Sequence, residues 1–188
     1  MNKALDKKNT MLEGANFTLV PFTHEFVTDR YLSWLHDYKI NKYLVKAGHQ
    51  TSLSDAKEYC EFLIQSPHDI FLAILINEYN LHIGNVRLGP IDFDSKVCKF
   101  SMIIGDVSYH GKGLATSIVK MCIDYVFDEL NMNKFYLDVV SENKSAVRVY
   151  EKCNMIEEGF LKSHLKIGEI TCDLKIFSIF NKKTQNKI

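Results

Sequence analysis

The stretch Tyr109-His110-Gly111-Lys112-Gly113-Leu114-Ala115-Thr116 has the residue types needed to hold an anion. Two glycines and a small alanine leave main-chain N–H groups open to close approach, and the apolar periodicity that begins at Leu114 places them at the positive end of a helix dipole. A pyrophosphate could bind there through backbone amides, with Lys112 or His110 adding charge at the rim. The same residues also suit a glycine-rich turn that only admits a helix. Two well-known phosphate loops are excluded. Lys112 is followed by Gly113 rather than by a hydroxyl residue, and the three-glycine dinucleotide pattern is missing.

The elements that must position this loop can be read from periodicity. Residues 17–22 read as a strand. Thr28 can cap a helix carrying Tyr31, Leu32, Trp34 and Leu35, and Ser52 with Asp55 forms a capping-box start for a helix that ends before Pro67. Residues 71–77, 81–88 and 97–104 follow as three strands of an antiparallel meander, joined by the turn 78–80 and the loop 89–96. After Gly105 the period changes from two to 3.6, and residues 113–130 read as an amphipathic helix. A strand at 134–140 then closes a β-α-β crossover, which makes it parallel to the strand before the helix. A helix at 145–153 and strands at 157–166 and 171–180 complete the chain. The expectation is an α/β (α+β) fold, a mixed central sheet of about seven strands with helices on both faces. It forms a single domain over 1–188, with loose termini at 1–10 and 181–188.

The loop is similar to the Arg/Gln-x-x-Gly-x-Gly/Ala signature of the GNAT N-acetyltransferase superfamily, with His110 at the first position. A second stretch, Asn143-Lys144-Ser145-Ala146-Val147-Arg148-Val149-Tyr150-Glu151-Lys152-Cys153, resembles that superfamily's Asn-x-x-Ala-x-x-x-Tyr-x-Lys-x-Gly-Phe block. Asn154-Met155 stands where the block ends in Gly-Phe. Asn can take the left-handed conformation, and Met can fill the apolar site. Residues 81–88 and 102–105 look like the third and fourth strands of the ribosomal-protein-acetyltransferase-like branch, which includes amino-sugar N-acetyltransferases.

The resemblance implies direct transfer of an acetyl group from acetyl-CoA to an amine, without a metal or a covalent acyl-enzyme. It implies CoA contacts from the backbone of Ile103, Ile104 and Gly105, from the loop residues His110, Gly111, Lys112, Gly113, Leu114, Ala115 and Thr116, and from Asn143. Asn143 would equally serve as a helix N-cap. Tyr150 matches the family's general acid. A phenol of ordinary pKa about 10 suits a departing thiolate, though its helical face also suits a core tyrosine. Where many relatives carry a Glu on the fourth strand this chain has Lys99, so the base is open among Asp92, Asp94, His49 and a water chain ending at Ser141. An amine that arrives neutral needs none.

Trp34, Tyr38, Tyr43 and His49 could line an acceptor cleft with aromatic faces suited to a sugar or a nucleotide base, and could as easily be core. The preferred acceptor is therefore an amino sugar, free or nucleotide-linked. The alternatives are the N-terminal amine of a protein such as a ribosomal protein, or a non-catalytic acyl-CoA-binding module.

Composition bounds these readings. A chain of 188 residues, 46% hydrophobic and 24% charged with only three prolines, is a compact globule. Its 23 basic and 23 acidic residues cancel, so nothing draws it to nucleic acid or an anionic membrane, and an anionic ligand must be held locally. The apolar run at 71–76 is far short of the ~20 residues of a membrane-spanning helix. The first nine residues contain no secretory signal, which gives a cytoplasmic expectation. Five widely spaced cysteines without a C-x-x-C pair read as reduced core residues. The partners expected are acetyl-CoA and a small amine, with the chain as a monomer or homodimer.

Overall fold

Alternating and helical apolar patterns fold into a single sheet covered on both faces. The computed structural model describes residues 7, 9–44 and 51–183. The strands are β1 (Leu12–Glu13), β2 (Phe17–Pro21), β3 (Ile70–Ile76), β4 (Leu81–Asp92), β5 (Val97–Ile104), β6 (Lys134–Val140), β7 (Ile156–Ile167) and β8 (Ile170–Phe180). The helices are α1 (Asp29–His36), α2 (Tyr38–Asn41), α3 (Leu53–Gln65), α4 (Leu114–Asp128) and α5 (Lys144–Lys152). The sheet order is β1-β2-β3-β4-β5-β6-β8-β7. β1 to β5 form the antiparallel meander, β6 runs parallel to β5, and β8 lies antiparallel between β6 and β7.

Strand alternation sorts most apolar side chains into two cores, with a smaller third cluster of Val140, Ile167 and Leu174. Leu72, Ile74, Val86 and Phe100 pack with Ile118 and Cys122 of α4 and Val147 of α5 on one face. Ala73 and Leu75 pack with Tyr31 and Trp34 of α1 and with Ala56 and Cys60 of α3 on the other. Each large side chain so buried contributes about 1.5–3 kcal/mol relative to leaving it exposed, an upper figure because unfolded chains already hide part of it. All five cysteines are free thiols, four of them buried.

The helix starts follow their caps. Thr28 Oγ1 accepts from the Tyr31 N–H at 3.3 Å. Ser52 and Asp55 exchange reciprocal bonds of 2.9 and 3.1 Å, the capping box legible in the sequence. Asn154 takes the left-handed φ of 58° expected of it, and Met155 behind it is buried.

The structure departs from the sequence expectations at several places. An eighth strand, β1, adds two residues at the edge of the sheet. The first half of the expected loop 89–96 is strand, because β4 continues to Asp92 past a bulge between Leu88 and Ile91 that absorbs Gly89 and Pro90. The short α2 was not anticipated. Two terminal positions are anchored rather than loose: Thr10 is buried, with its hydroxyl 3.3 Å from that of Tyr125, and the buried Asn181 amide donates to the Met132 carbonyl at 3.2 Å.

The feature that makes a site is the junction of β5 and β6. Their pairing covers only Val97, Cys98 and Lys99 against Lys134, Phe135 and Tyr136. Beyond that point β5 stays paired with β4 and β6 with β8, so the two strands part and the sheet opens at its middle.

Candidate active site

The parted strands leave a cleft of about 800 Å³ lined by β5 from Phe100 to Ile104, by β6 from Asp138 to Val140, and by the loop before α4 and one side of α5. Lys42 and Tyr43, just after α2, line it as well.

At its head lies the glycine loop. Gly111 and Gly113 both have positive φ, 73° and 81°, and a Cβ built on either meets nothing within 4 Å. Backbone conformation therefore favours glycine there, and the space in front of the loop stays open. Gly113 is the N-cap of α4 and supplies no side-chain cap, and the first intrahelical bond runs from Ser117 N–H to Gly113 O at 3.2 Å. Among the described residues the N–H groups of 111–116 have no acceptor. Six donors at a helix dipole's positive end, with room before them, fit a pyrophosphate.

The rim charges are placed differently from the expectation. His110 Nε2 lies 2.7 Å from the Ile104 carbonyl oxygen and ties the loop to the end of β5. Lys112 Nζ lies over the Tyr109 ring, 5.5 Å from its centroid, and is not among the cleft-lining residues. The cations that do face the cleft include Lys144, Arg148 and Lys152, four residues apart along α5.

β5 offers the cleft its backbone. The Gly105 N–H donates to Ile83 O at 2.8 Å, so by alternation the N–H groups of Met102 and Ile104 turn toward the open edge and that of Ile103 toward β4. Gly105 lies behind this edge, against the Trp34 indole. A Cβ there would come within 2.0 Å of Trp34 Cδ2, so only glycine allows the approach.

Asn143 is the N-cap of α5, with its Oδ1 accepting from Ala146 N–H at 3.2 Å and from Ser145 Oγ at 2.9 Å. Tyr150, one side of α5 later, is only 8% exposed and lines the cleft, with its ring 6.0 Å from that of Phe177. Its hydroxyl has no hydrogen-bond partner among the described residues. Burial, with the Asp138 and Cys153 charges adding, pushes its phenol well above the ordinary tyrosine value.

Other expected residues fall elsewhere. Asp92 ends β4 and Asp94 lies in the turn after it, at the closed end of the sheet, where Asp92 Oδ1 accepts from the N–H groups of Asp94 and Ser95. Ser141 Oγ donates to Glu142 Oε1 at 2.7 Å. Trp34 is buried in the second core and Tyr38 is on the surface, so of the three described aromatic-cleft residues only Tyr43 lines the cleft; His49 lies outside the described residues. Lys99 forms an ion pair with Asp138 across the point where β5 and β6 part. Sequence reasoning missed Asp138, which reads there as an ordinary outward polar residue of a strand.

Comparison with known proteins agrees with this geometry. The family profile described as an acetyltransferase (GNAT) domain matches residues 16–156. A spermidine N(1)-acetyltransferase from Vibrio cholerae is 36% identical over 105 residues, 56% of this chain and 60% of the relative. A putative ribosomal N-acetyltransferase of Bacillus subtilis is 25% identical over 79 residues, 42% of this chain and 43% of the relative. The crystal structure of the Vibrio cholerae spermidine N-acetyltransferase in complex with CoA and spermine superimposes with a TM-score of 0.79 at 26% identity, covering 89% of this chain and 96% of that one. The fold, the parted strands with their amide-lined head and the matched span together place this chain in the GNAT acetyltransferase family.

Proposed function

We propose that the protein is an acetyl-CoA-dependent N-acetyltransferase whose acceptor is a polyamine-like primary amine. The observation that carries the transfer chemistry is a cleft between β5 and β6 whose head has a row of N–H groups, and whose wall has a phenol, without hydrogen-bond partners among the described residues. Residues 111–116 would hold the pyrophosphate of acetyl-CoA through their amides, with His110 fixing the loop. The outward N–H groups of Met102 and Ile104 would polarise the acetyl carbonyl and stabilise the charge that develops on its oxygen. Tyr150, whose raised pKa keeps it protonated at neutral pH, would give its proton to the departing thiolate. Asn143 would keep α5, and so Tyr150, in register with the loop.

The acceptor class rests on the relatives, since those named spermidine N-acetyltransferases match both in sequence and in fold. The amino-sugar expectation loses support, because of the described residues expected to form its aromatic wall, Trp34, Tyr38 and Tyr43, only Tyr43 lines the cleft. A protein N-terminal amine is the second reading, favoured by the relative named for ribosomal acetylation and by the branch that residues 81–88 and 102–105 resemble.

Thiol release from acetyl-CoA and mass spectrometry of the products, with spermidine, spermine, glucosamine and short peptides as acceptors, test the proposal. Monoacetylated polyamine is the expected product. Peptide as the sole acetylated species would transfer the assignment to the second reading. Thermal stabilisation by acetyl-CoA without turnover of any amine would leave a binding module instead.

A further inference from the structure

An amine that is an ammonium at neutral pH must lose a proton before it can attack, and that proton needs an acceptor within the cleft. The carboxylates among its described lining residues are Asp138 and Glu142. Glu142 lies beyond the end of β6, with one oxygen engaged by Ser141 Oγ. The His110 imidazole is held by the Ile104 carbonyl.

Asp138 is placed differently. It lies two residues past Tyr136, the last residue of β6 paired with β5, and so at the vertex of the opening. Leu137 and Val139 belong to the core under α4 and α5, so Asp138 faces the other side of the sheet. Cys98 and Phe100 belong to the same core, which puts Lys99 and Ser101 on the face of Asp138. The Lys99 ammonium meets Asp138 Oδ1 across the vertex, while the aspartate side chain stays 37% exposed and its Oδ2 has no partner among the described residues. Its charge also reaches Tyr150 from across the cleft.

On the acetyl-transfer reading above, we infer that Asp138 is the general base for the incoming amine and that Lys99 is the positioning residue that holds its carboxylate at the vertex. One proton of the ammonium passes to Asp138 Oδ2 and on to water. The freed nitrogen lone pair forms the C–N bond to the thioester carbonyl carbon while the C=O π pair moves onto oxygen. As that pair returns, the C–S bond breaks with its electrons on sulfur, and the thiolate takes the Tyr150 phenolic proton. The nitrogen's surplus proton restores the phenol through solvent. Each amide formed thus releases one net proton.

The test is Asp138→Asn, with Asp138→Glu and Lys99→Met beside it, in the full chain. The readouts are the acetyl-CoA melting shift, spermidine binding by calorimetry in the presence of CoA, and kcat/KM for the best acceptor between pH 6.5 and 9.5. Asp138→Asn is expected to keep the melting shift, to weaken spermidine binding and to lose about 10²- to 10⁴-fold in kcat/KM at pH 7. That deficit should narrow as the pH approaches the amine's own pKa, where the substrate arrives neutral. Asp138→Glu should recover part of the loss, and Lys99→Met should lose about tenfold to a hundredfold through misplacement of the carboxylate. An Asp138→Asn enzyme within threefold of wild type, or with a deficit constant across pH, overturns the inference while leaving acetyl transfer standing. Wild-type turnover of a non-polyamine acceptor with the same Asp138 dependence overturns only the acceptor class. A wild-type protein that acetylates no amine removes the transfer reading and this inference together.

Discussion

Tyr150 carries the two roles a helix tyrosine can have. Its ring packs beside Phe177 as a core residue, while its hydroxyl lines the cleft without a partner among the described residues. Tyr150→Phe keeps the ring and removes only the proton donor. The expected result is an unchanged acetyl-CoA melting shift and a kcat lower by about 10² to 10⁴, or roughly 3–5 kcal/mol of barrier. If the hydroxyl were idle, stopped-flow or steady-state rates would match wild type, since no hydrogen bond within the protein is lost. At this scale the sequence was informative wherever a candidate site residue sits in a local motif, as with the loop before α4, Asn143 and Tyr150, all of which line the cleft. It was uninformative for Asp138 and Lys99, because their meeting is made by strand register between segments far apart in the chain.

The loop before α4 shows what an element adds to its residues. Gly113 is in the left-handed region at φ 81° and caps α4 without a side chain, so the helix presents bare N–H groups to the cleft. Gly113→Glu would strain the backbone and place a negative charge among those donors. The melting shift caused by acetyl-CoA, about 2.7 kcal/mol of stabilisation at a hundredfold excess over Kd, should disappear in this variant. A retained shift would place the pyrophosphate elsewhere. Most elements were legible because their signals are local: the change of period at Gly105, the Ser52–Asp55 box and the unbroken apolar run of β3. The bulge in β4 and the helix α2 were not. A bulge is dictated by the neighbouring strand, and a four-residue helix carries too little periodicity to be read.

Across the whole molecule, the second core encloses a histidine. The His82 ring lies within 6.5 Å of the ring centroids of Phe22, Phe26, Tyr31 and Trp34, and its Nε2 lies 3.0 Å from Gly84 O and 2.9 Å from Asn85 Oδ1. Burial first, with the Arg30 charge adding, holds its pKa below the ordinary 6.5, and these acceptors only partly offset that. The unfolded chain therefore binds the proton more readily than the native one. This contribution to stability is complete above about pH 6.5 and is lost as pH falls from there through the native pKa. Melting temperatures between pH 8 and 5 should decline on the acid side, and His82→Gln should flatten the decline. An identical slope in the variant would assign it to other groups. The parting of β5 and β6 reaches further than the reaction. It creates two strand edges in the interior of a sheet, where the usual guards of an outer edge, charge, proline or a covering loop, would obstruct the ligand. Width is the guard that remains. Neighbouring strands lie about 4.8 Å apart, so a gap flanked on both sides admits one slender extended chain and turns away a folded neighbour's hairpin. The geometry that makes room for a thin acyl carrier therefore also limits what else can pair with these two inner edges.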